Sequence, residues 1–260
     1  MRLRGNYNLT NQNLTIMKKL LILLFGIISY IIFFITFLYS IGFVGDLIVQ
    51  KTINTGEAGS YAIIINLSLL TVFALQHSIM ARPGFKKWWN TFFGPAMERS
   101  IYVLFSSLAL ILIYWKWQPM TAVIWNIESE NLIIVIKVIF WAGWGIVLIS
   151  TFLISHFHLM GLQQVFENFK NKTLTNPKFK MNFFYKLVRH PLMLGFIIAF
   201  WATPTMTQGH LLFALVTTIY MFVAVKFLEE KDLLKIHGED YKAYQKSTPM
   251  IIPFTKFKKS

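Results

Sequence analysis

Arg189, His190 and Pro191 stand together in YKLVRHPLMLG, residues 185–195, and Glu229 and Glu230 stand together in FLEEKDLLKIHGEDYKAY, residues 227–244. The apolar stretch between them turns near Pro204 to Gly209. Folded as a hairpin of two antiparallel apolar helices, that stretch brings a basic and an acidic cluster to the same end. Carboxylates at the edge of an apolar region are costly without a cationic partner. Pro191 suits the first position of a helix, where its fixed φ helps and its missing N–H would have no partner anyway. His190 is then the cap, and the helix N-terminus offers free N–H groups and a positive dipole end to an anion such as a carboxylate. Glu229 and Glu230 offer the opposite sign. A ligand that asks for both signs at close quarters is S-adenosylmethionine, with a carboxylate, an ammonium and a sulfonium.

The elements that must hold these groups are membrane helices. The 260 residues are 55% hydrophobic and 17% aromatic, and the mean hydropathy is +0.54, far from soluble averages. There is no cysteine, which removes disulfides, thiolate metal sites and a cysteine nucleophile. The net charge of +14 does not point to nucleic acid, because the basic residues fall in loops between apolar spans, as the positive-inside rule distributes them.

Residues 1–19 read as a flexible cytoplasmic tail, Asn-rich up to residue 16 and ending on Lys18 and Lys19. Residues 20–260 read as one integral-membrane domain. The first apolar run, Leu20 to about Gly42, exceeds a signal-peptide core of roughly 7 to 15 residues and matches a membrane helix of about 20. Further runs cover Tyr61–Met80, Ile101–Trp117, Leu132–Phe157, Leu192–Thr203 and Leu211–Leu228. The expected fold is an all-α polytopic bundle of about six transmembrane helices, ending in a helical hairpin and a cytosolic amphipathic helix. Its fifth span is short and is stopped by Pro204. Lys and Arg collect in the tail, in the second-to-third loop (Arg82, Lys86, Lys87) and in the fourth-to-fifth loop (Lys170, Lys172, Lys178, Lys180, Lys186, Arg189). The alternate loops carry Lys51 with Asp46 and Glu57, then Glu128 and Glu130. Both termini are therefore expected in the cytoplasm, with the bilayer as partner. In that topology Gln76, His77, Glu98, Arg99, His156, His158, Arg189, His190, Glu229 and Glu230 all lie toward the inner leaflet, which favours a cytosol-facing site over a transmembrane pathway.

Each signal has a plainer reading. Glu229 and Glu230 are also the start of a solvated helix, with Lys231, Asp232 and Lys235 following. Tyr241 and Tyr244 share one face of a short helix after Gly238, consistent with rings packed beneath the membrane surface. His156 and His158 face different sides of a helix, and no carboxylate lies close in sequence, so no metal is expected there. His77 is equally an inter-helix hydrogen-bond partner and a substrate-site residue.

These residues also resemble a known site. RHPLMLG, then EE, then LLKIHGEDYKAY, is similar to RHPxYxG and EExxLxxxxGxxYxxY, the S-adenosylmethionine site of the isoprenylcysteine carboxyl methyltransferase superfamily. A closer likeness through LQHSIMARPGFKKWW, ERSIYVLFSSLAL, HFHLMGLQQV and FWATPTMTQGHLLFA is to the nurim family, with its bacterial methanethiol S-methyltransferases, and it covers about residues 61–253. The resemblance implies a bacterial inner-membrane enzyme that methylates a small thiol, methanethiol, to dimethyl sulfide, with S-adenosylmethionine as donor. Carried over by position, it implies cofactor binding by His190, Pro191, Gly195, Glu229, Glu230, Tyr241 and Tyr244. Met193 stands where the pattern has Tyr. A basic residue that lowers the thiol's pKa or takes its proton is then required, with Arg99, His77 and Arg189 as candidates. Methylation of a prenylcysteine carboxylate or a lipid amine, and a non-catalytic nurim-like role, are the alternatives.

Overall fold

In the computed structural model, residues 2–57, 59–174 and 182–255 are described, with side chains from Leu14 onward. Lys178 and Lys180, two of the basic loop residues, lie outside the described residues. The long helices are α1 (Arg2–Gly45), α2 (Ala62–Met80), α4 (Pro95–Lys116), α5 (Glu130–Ile154) and α10 (Gln208–Ala224), the last running through a π-helical turn (Val225–Glu229) into α11 (Glu230–Ser247). Shorter helices are α3 (Pro83–Phe93), α6 (His156–Leu159), α7 (Leu162–Phe169), α8 (Phe184–Leu187) and α9 (Pro191–Trp201). Among the described residues five helices are long and apolar enough to cross a membrane, the last being the continuous Gln208–Ser247, and α9 is a shorter apolar helix.

The backbone of α1 begins well before the apolar run, in residues expected to form a tail. No Gly or Pro stands between Gly5 and Gly26 to interrupt it. The membrane-length apolar part is Leu14–Gly45. Aliphatic and aromatic side chains along the spans, Ile28, Ile35, Ile64, Val138 and Phe152 among them, are exposed at the protein surface, as lipid contact requires. The core joins α1, α4, α5, α9 and α10 through Phe43, Ile113, Trp117, Trp144, Phe200 and Phe213. Trp117 is fully buried, and its indole N–H donates to the Ile53 carbonyl.

At 11 residues, α9 is about 16 Å long, well short of a hydrocarbon core of about 30 Å. Its end is not the bare turn expected from the sequence. A strand β2 (Thr205–Thr207) pairs antiparallel with β1 (Val123–Asn126). Ile127 donates to the Pro204 carbonyl, and Gln208 and Gly209 donate to the carbonyls of Ala122 and Met120. Backbone groups released where the helix stops early are thereby satisfied by protein, the condition for non-helical chain at membrane depth. His210 then bonds the Phe200 carbonyl at 2.8 Å, and Trp201 donates to Thr218 at 3.0 Å. These two bonds lock α9 and α10 as an antiparallel hairpin whose other end carries both charged clusters.

Candidate active site

Pro191 is at the first turn of α9 with His190 as its cap residue, as its sequence position requires. At the far end of α10 the backbone N–H of Glu230 reaches back to the Val225 carbonyl, a π turn of the kind often found at functional sites. One residue is thereby inserted just before the acidic pair. Helix α11 is kinked at Gly238, whose φ of 56° and ψ of −129° suit glycine. The second half of α11 thus turns back toward Arg189.

The result is a buried hub. Glu230 Oε1 accepts from Arg189 Nε and Arg189 Nη2, each at 2.6 Å. His190 Nε2 lies 3.2 Å from the same oxygen and the Tyr241 hydroxyl 3.4 Å from it, while Gln245 donates to Oε2 at 3.1 Å. Arg189 spends its remaining reach on backbone: Nη1 donates to the carbonyls of Gln245, at 3.1 Å, and Thr248. The backbone N–H groups of Arg189 and His190 donate to Pro249 and Met250 at 2.9 and 3.0 Å. Tyr244 donates to the Tyr185 carbonyl, tying α11 to α8. Arg189, His190, Glu230, Tyr241 and Tyr244 are all buried.

Glu229 differs. Its side chain is 47% exposed, and its ion-pair contact is His190 Nδ1 at 3.6 Å. His190 therefore sits between two carboxylates. Burial alone would lower its pKa, but Glu229 and Glu230 outweigh that and hold it up at about 9. The imidazolium persists at neutral pH. Glu229 is also within electrostatic reach of His77 on α2, Tyr102 on α4, Tyr185 on α8 and Tyr220 on α10. Ring groups from four helices thus lie within its electrostatic reach.

The sequence candidates divide accordingly. Arg189 is committed to Glu230 and to backbone carbonyls, so its guanidinium is not free to activate a thiol. Gly195 does not face this site with a side chain's worth of space. A Cβ there would lie 2.8 Å from both the Gly143 carbonyl oxygen and the Val147 nitrogen, so Gly195 serves the close crossing of α9 over α5. Met193 packs against the hydrophobic core. Arg99 donates from Nε to the Leu159 carbonyl at 2.6 Å, and its guanidinium carbon lies 5.0 Å from the centroid of the Tyr102 ring. His77 meets Tyr102 and Ser106. Tyr102, Tyr185, Gln245 and the carbonyls of residues 248–250 escaped the sequence reading because nothing in their local pattern distinguishes them. Tyr102 lies in ERSIY beside Arg99, and that adjacency was the available signal. His156 is bound by Tyr30 at 3.0 Å and Thr151 at 2.8 Å, a structural role. Among the described residues no three His, Cys, Asp or Glu side chains group to hold a metal ion. A separate crevice of about 460 Å³ between α1, α3 and α4, lined by Lys18, Leu21, Asn90 and Met97 among others, shares none of the site residues.

A family model described as NnrU protein matches residues 66–251. The chain is 51% identical over 238 residues to methanethiol S-methyltransferase 1 of Bradyrhizobium diazoefficiens, covering 91% of this chain and 83% of that protein. It is 48% identical over 240 residues to methanethiol S-methyltransferase of Mycobacterium tuberculosis, covering 92% and 98%. With nurim of Mus musculus the identity is 32% over 188 residues, 67% of this chain and 69% of that protein. No solved structure matches the chain.

Proposed function

This chain belongs to the NnrU protein family, and within it we propose that the protein is a membrane methyltransferase that converts methanethiol to dimethyl sulfide with S-adenosylmethionine as methyl donor. The observation that carries the reading is identity near one half, over nine-tenths of the chain, to proteins named for that reaction. Both motif blocks lie within the matched stretch.

The residues present fit the donor. Glu229 is an accessible carboxylate among otherwise enclosed groups, which suits an ammonium or sulfonium. His190, cationic and at the head of α9, suits a carboxylate. When bound, the donor supplies an electrophilic methyl group on a positively charged sulfur. The chain's own part is to bind and orient: alignment of reactants at about 3 to 3.5 Å is worth several kcal/mol of barrier. The hub of Arg189, Glu230, Tyr241 and Gln245 fixes the positions of His190 and Glu229 and leaves its own polar groups satisfied. Orientation with the site toward the cytoplasm of a bacterial inner membrane is part of the proposal, supported by where Lys and Arg fall between spans.

The test is direct. Membranes containing the protein are given methanethiol and S-adenosylmethionine, and dimethyl sulfide is measured in the headspace. Methylation of a prenylcysteine carboxylate in preference to methanethiol would overturn the acceptor, and no methylation of either would overturn the enzyme reading.

A further inference from the structure

Beyond Glu229 lies a second polar cluster, separate from the residues proposed to hold the donor. The Tyr102 hydroxyl is 2.7 Å from His77 Nε2 and 3.1 Å from Nδ1, and Nδ1 is 3.2 Å from Ser106 Oγ. Arg99 stands over the Tyr102 ring. Gln76, one residue before His77, meets Ser106 through its amide nitrogen at 3.4 Å, while its buried amide oxygen has no hydrogen-bond partner. A buried acceptor left open is rare in native proteins, and here it borders the cluster. Glu229 is within electrostatic reach of His77 and Tyr102, so the cluster lies near the carboxylate assigned to the donor.

The two site histidines are built for opposite purposes. His190 is ion-paired to two carboxylates and keeps its proton. His77 has hydroxyls for hydrogen-bond partners and no ion pair among the described residues. With Nδ1–H donating to Ser106, Nε2 is the ring nitrogen open to the Tyr102 hydroxyl proton, and the Tyr102 oxygen keeps lone pairs for a further donor. Arg99 likewise has no carboxylate in ion-pair contact among the described residues, so its charge is available to an anion beside Tyr102.

We infer that Tyr102 and His77 form the proton relay of the acceptor subsite, with Arg99 facing the resulting thiolate; this rests on the thiol methyltransferase reading. The thiol's S–H proton passes to the Tyr102 oxygen as the phenolic proton passes to His77 Nε2. The thiolate sulfur forms a bond to the methyl carbon, the carbon–sulfur bond of the sulfonium donor breaks, and its electron pair stays on the donor sulfur. One proton then leaves His77 for solvent. Glu229 partly offsets the transient imidazolium, against the charge of the nearby Arg99. Arg189 has no part in the proton transfer.

Tyr102→Phe and His77→Gln test the relay in membranes holding the full chain, with kcat/KM measured against pH for methanethiol and for methaneselenol, which has the same shape and is ionised at neutral pH. Binding of S-adenosylmethionine is titrated in parallel. With methanethiol at pH 7 both variants are expected to fall by about 10²- to 10⁴-fold. Their rates should then climb about tenfold per pH unit as free thiolate accumulates, with methaneselenol turnover and donor affinity near those of the parent. Equal losses with the two acceptors, or no loss with methanethiol, would overturn the relay and leave the methyltransferase reading standing. A parent protein that methylates neither acceptor overturns both. Tyr102→Phe removes a single oxygen and decides the matter should His77→Gln fail to fold.

Discussion

Glu229 and Glu230 are consecutive in the chain, yet the side chain of Glu230 is 9% exposed and that of Glu229 is 47% exposed. The buried carboxylate is consumed by Arg189, His190, Tyr241 and Gln245. The accessible one is the group proposed to meet the donor. The two glutamates are thus differently placed, Glu230 in a buried ion pair and Glu229 half exposed beside His190.

Substitution separates the two roles. Glu230→Gln leaves the buried Arg189 cation without its counter-charge and should cost about 3 to 5 kcal/mol of stability, read as lost thermal stability of the detergent-solubilised protein. Glu229→Gln should leave stability within about 0.5 kcal/mol and weaken donor binding by about ten- to a hundredfold, the worth of one charge-assisted hydrogen bond. Titration with S-adenosylmethionine reads the second effect; equal losses of affinity at matched stability would contradict the division.

His190 gives the fold a pH dependence of known sign. Its folded pKa of about 9 lies above the unfolded value of about 6.5, so protonation favours the folded state. The contribution is full below about pH 6.5 and is lost as pH rises through about 9, on the order of 3 kcal/mol. Melting of the parent should fall across that window and that of His190→Gln should fall less; parallel curves would refute the assignment.

Gly195→Ala should destabilise by about 1 to 3 kcal/mol, because the new methyl meets the carbonyl of Gly143 and the nitrogen of Val147 at 2.8 Å. Gly143→Ala meets Ala199 N at 2.7 Å and should behave alike. Refolded or low-temperature samples of Gly195→Ala should bind S-adenosylmethionine normally. Affinity lost with stability intact would return Gly195 to the binding site.

Orientation is read by labelling. The chain has no cysteine, so single cysteines report cleanly, and Lys246 and Glu128 are both exposed. In intact cells Glu128→Cys should react with a membrane-impermeant maleimide and Lys246→Cys should not. The reverse pattern would place the site outside the cell.

Much of this was legible in the sequence because charge is expensive near lipid. Pro191 and the apolar runs gave the long helices, the hairpin and the gathering of both charged clusters at one end of it. What was not legible depended on partners distant in the chain. Nothing around Gly195 announces Gly143, and nothing around Arg189 announces the carbonyls of Gln245 and Thr248. Which glutamate would be buried was hidden by the π turn, since one inserted residue decides which carboxylate points inward. The β1–β2 pairing was missed because its strands are three and four residues long, too short for a readable alternation.

The main-chain bonds from Arg189 and His190 to Pro249 and Met250 also bear on how the protein is made. Helices α9 and α10 can enter the bilayer while later residues are still being synthesised, but Arg189 then has only part of its hydrogen-bond shell. The segment that follows α11 supplies the rest, so the site matures after insertion. A chain ending before residue 248 would keep the Arg189–Glu230 ion pair and lack the carbonyls of Thr248, Pro249 and Met250 that complete the site.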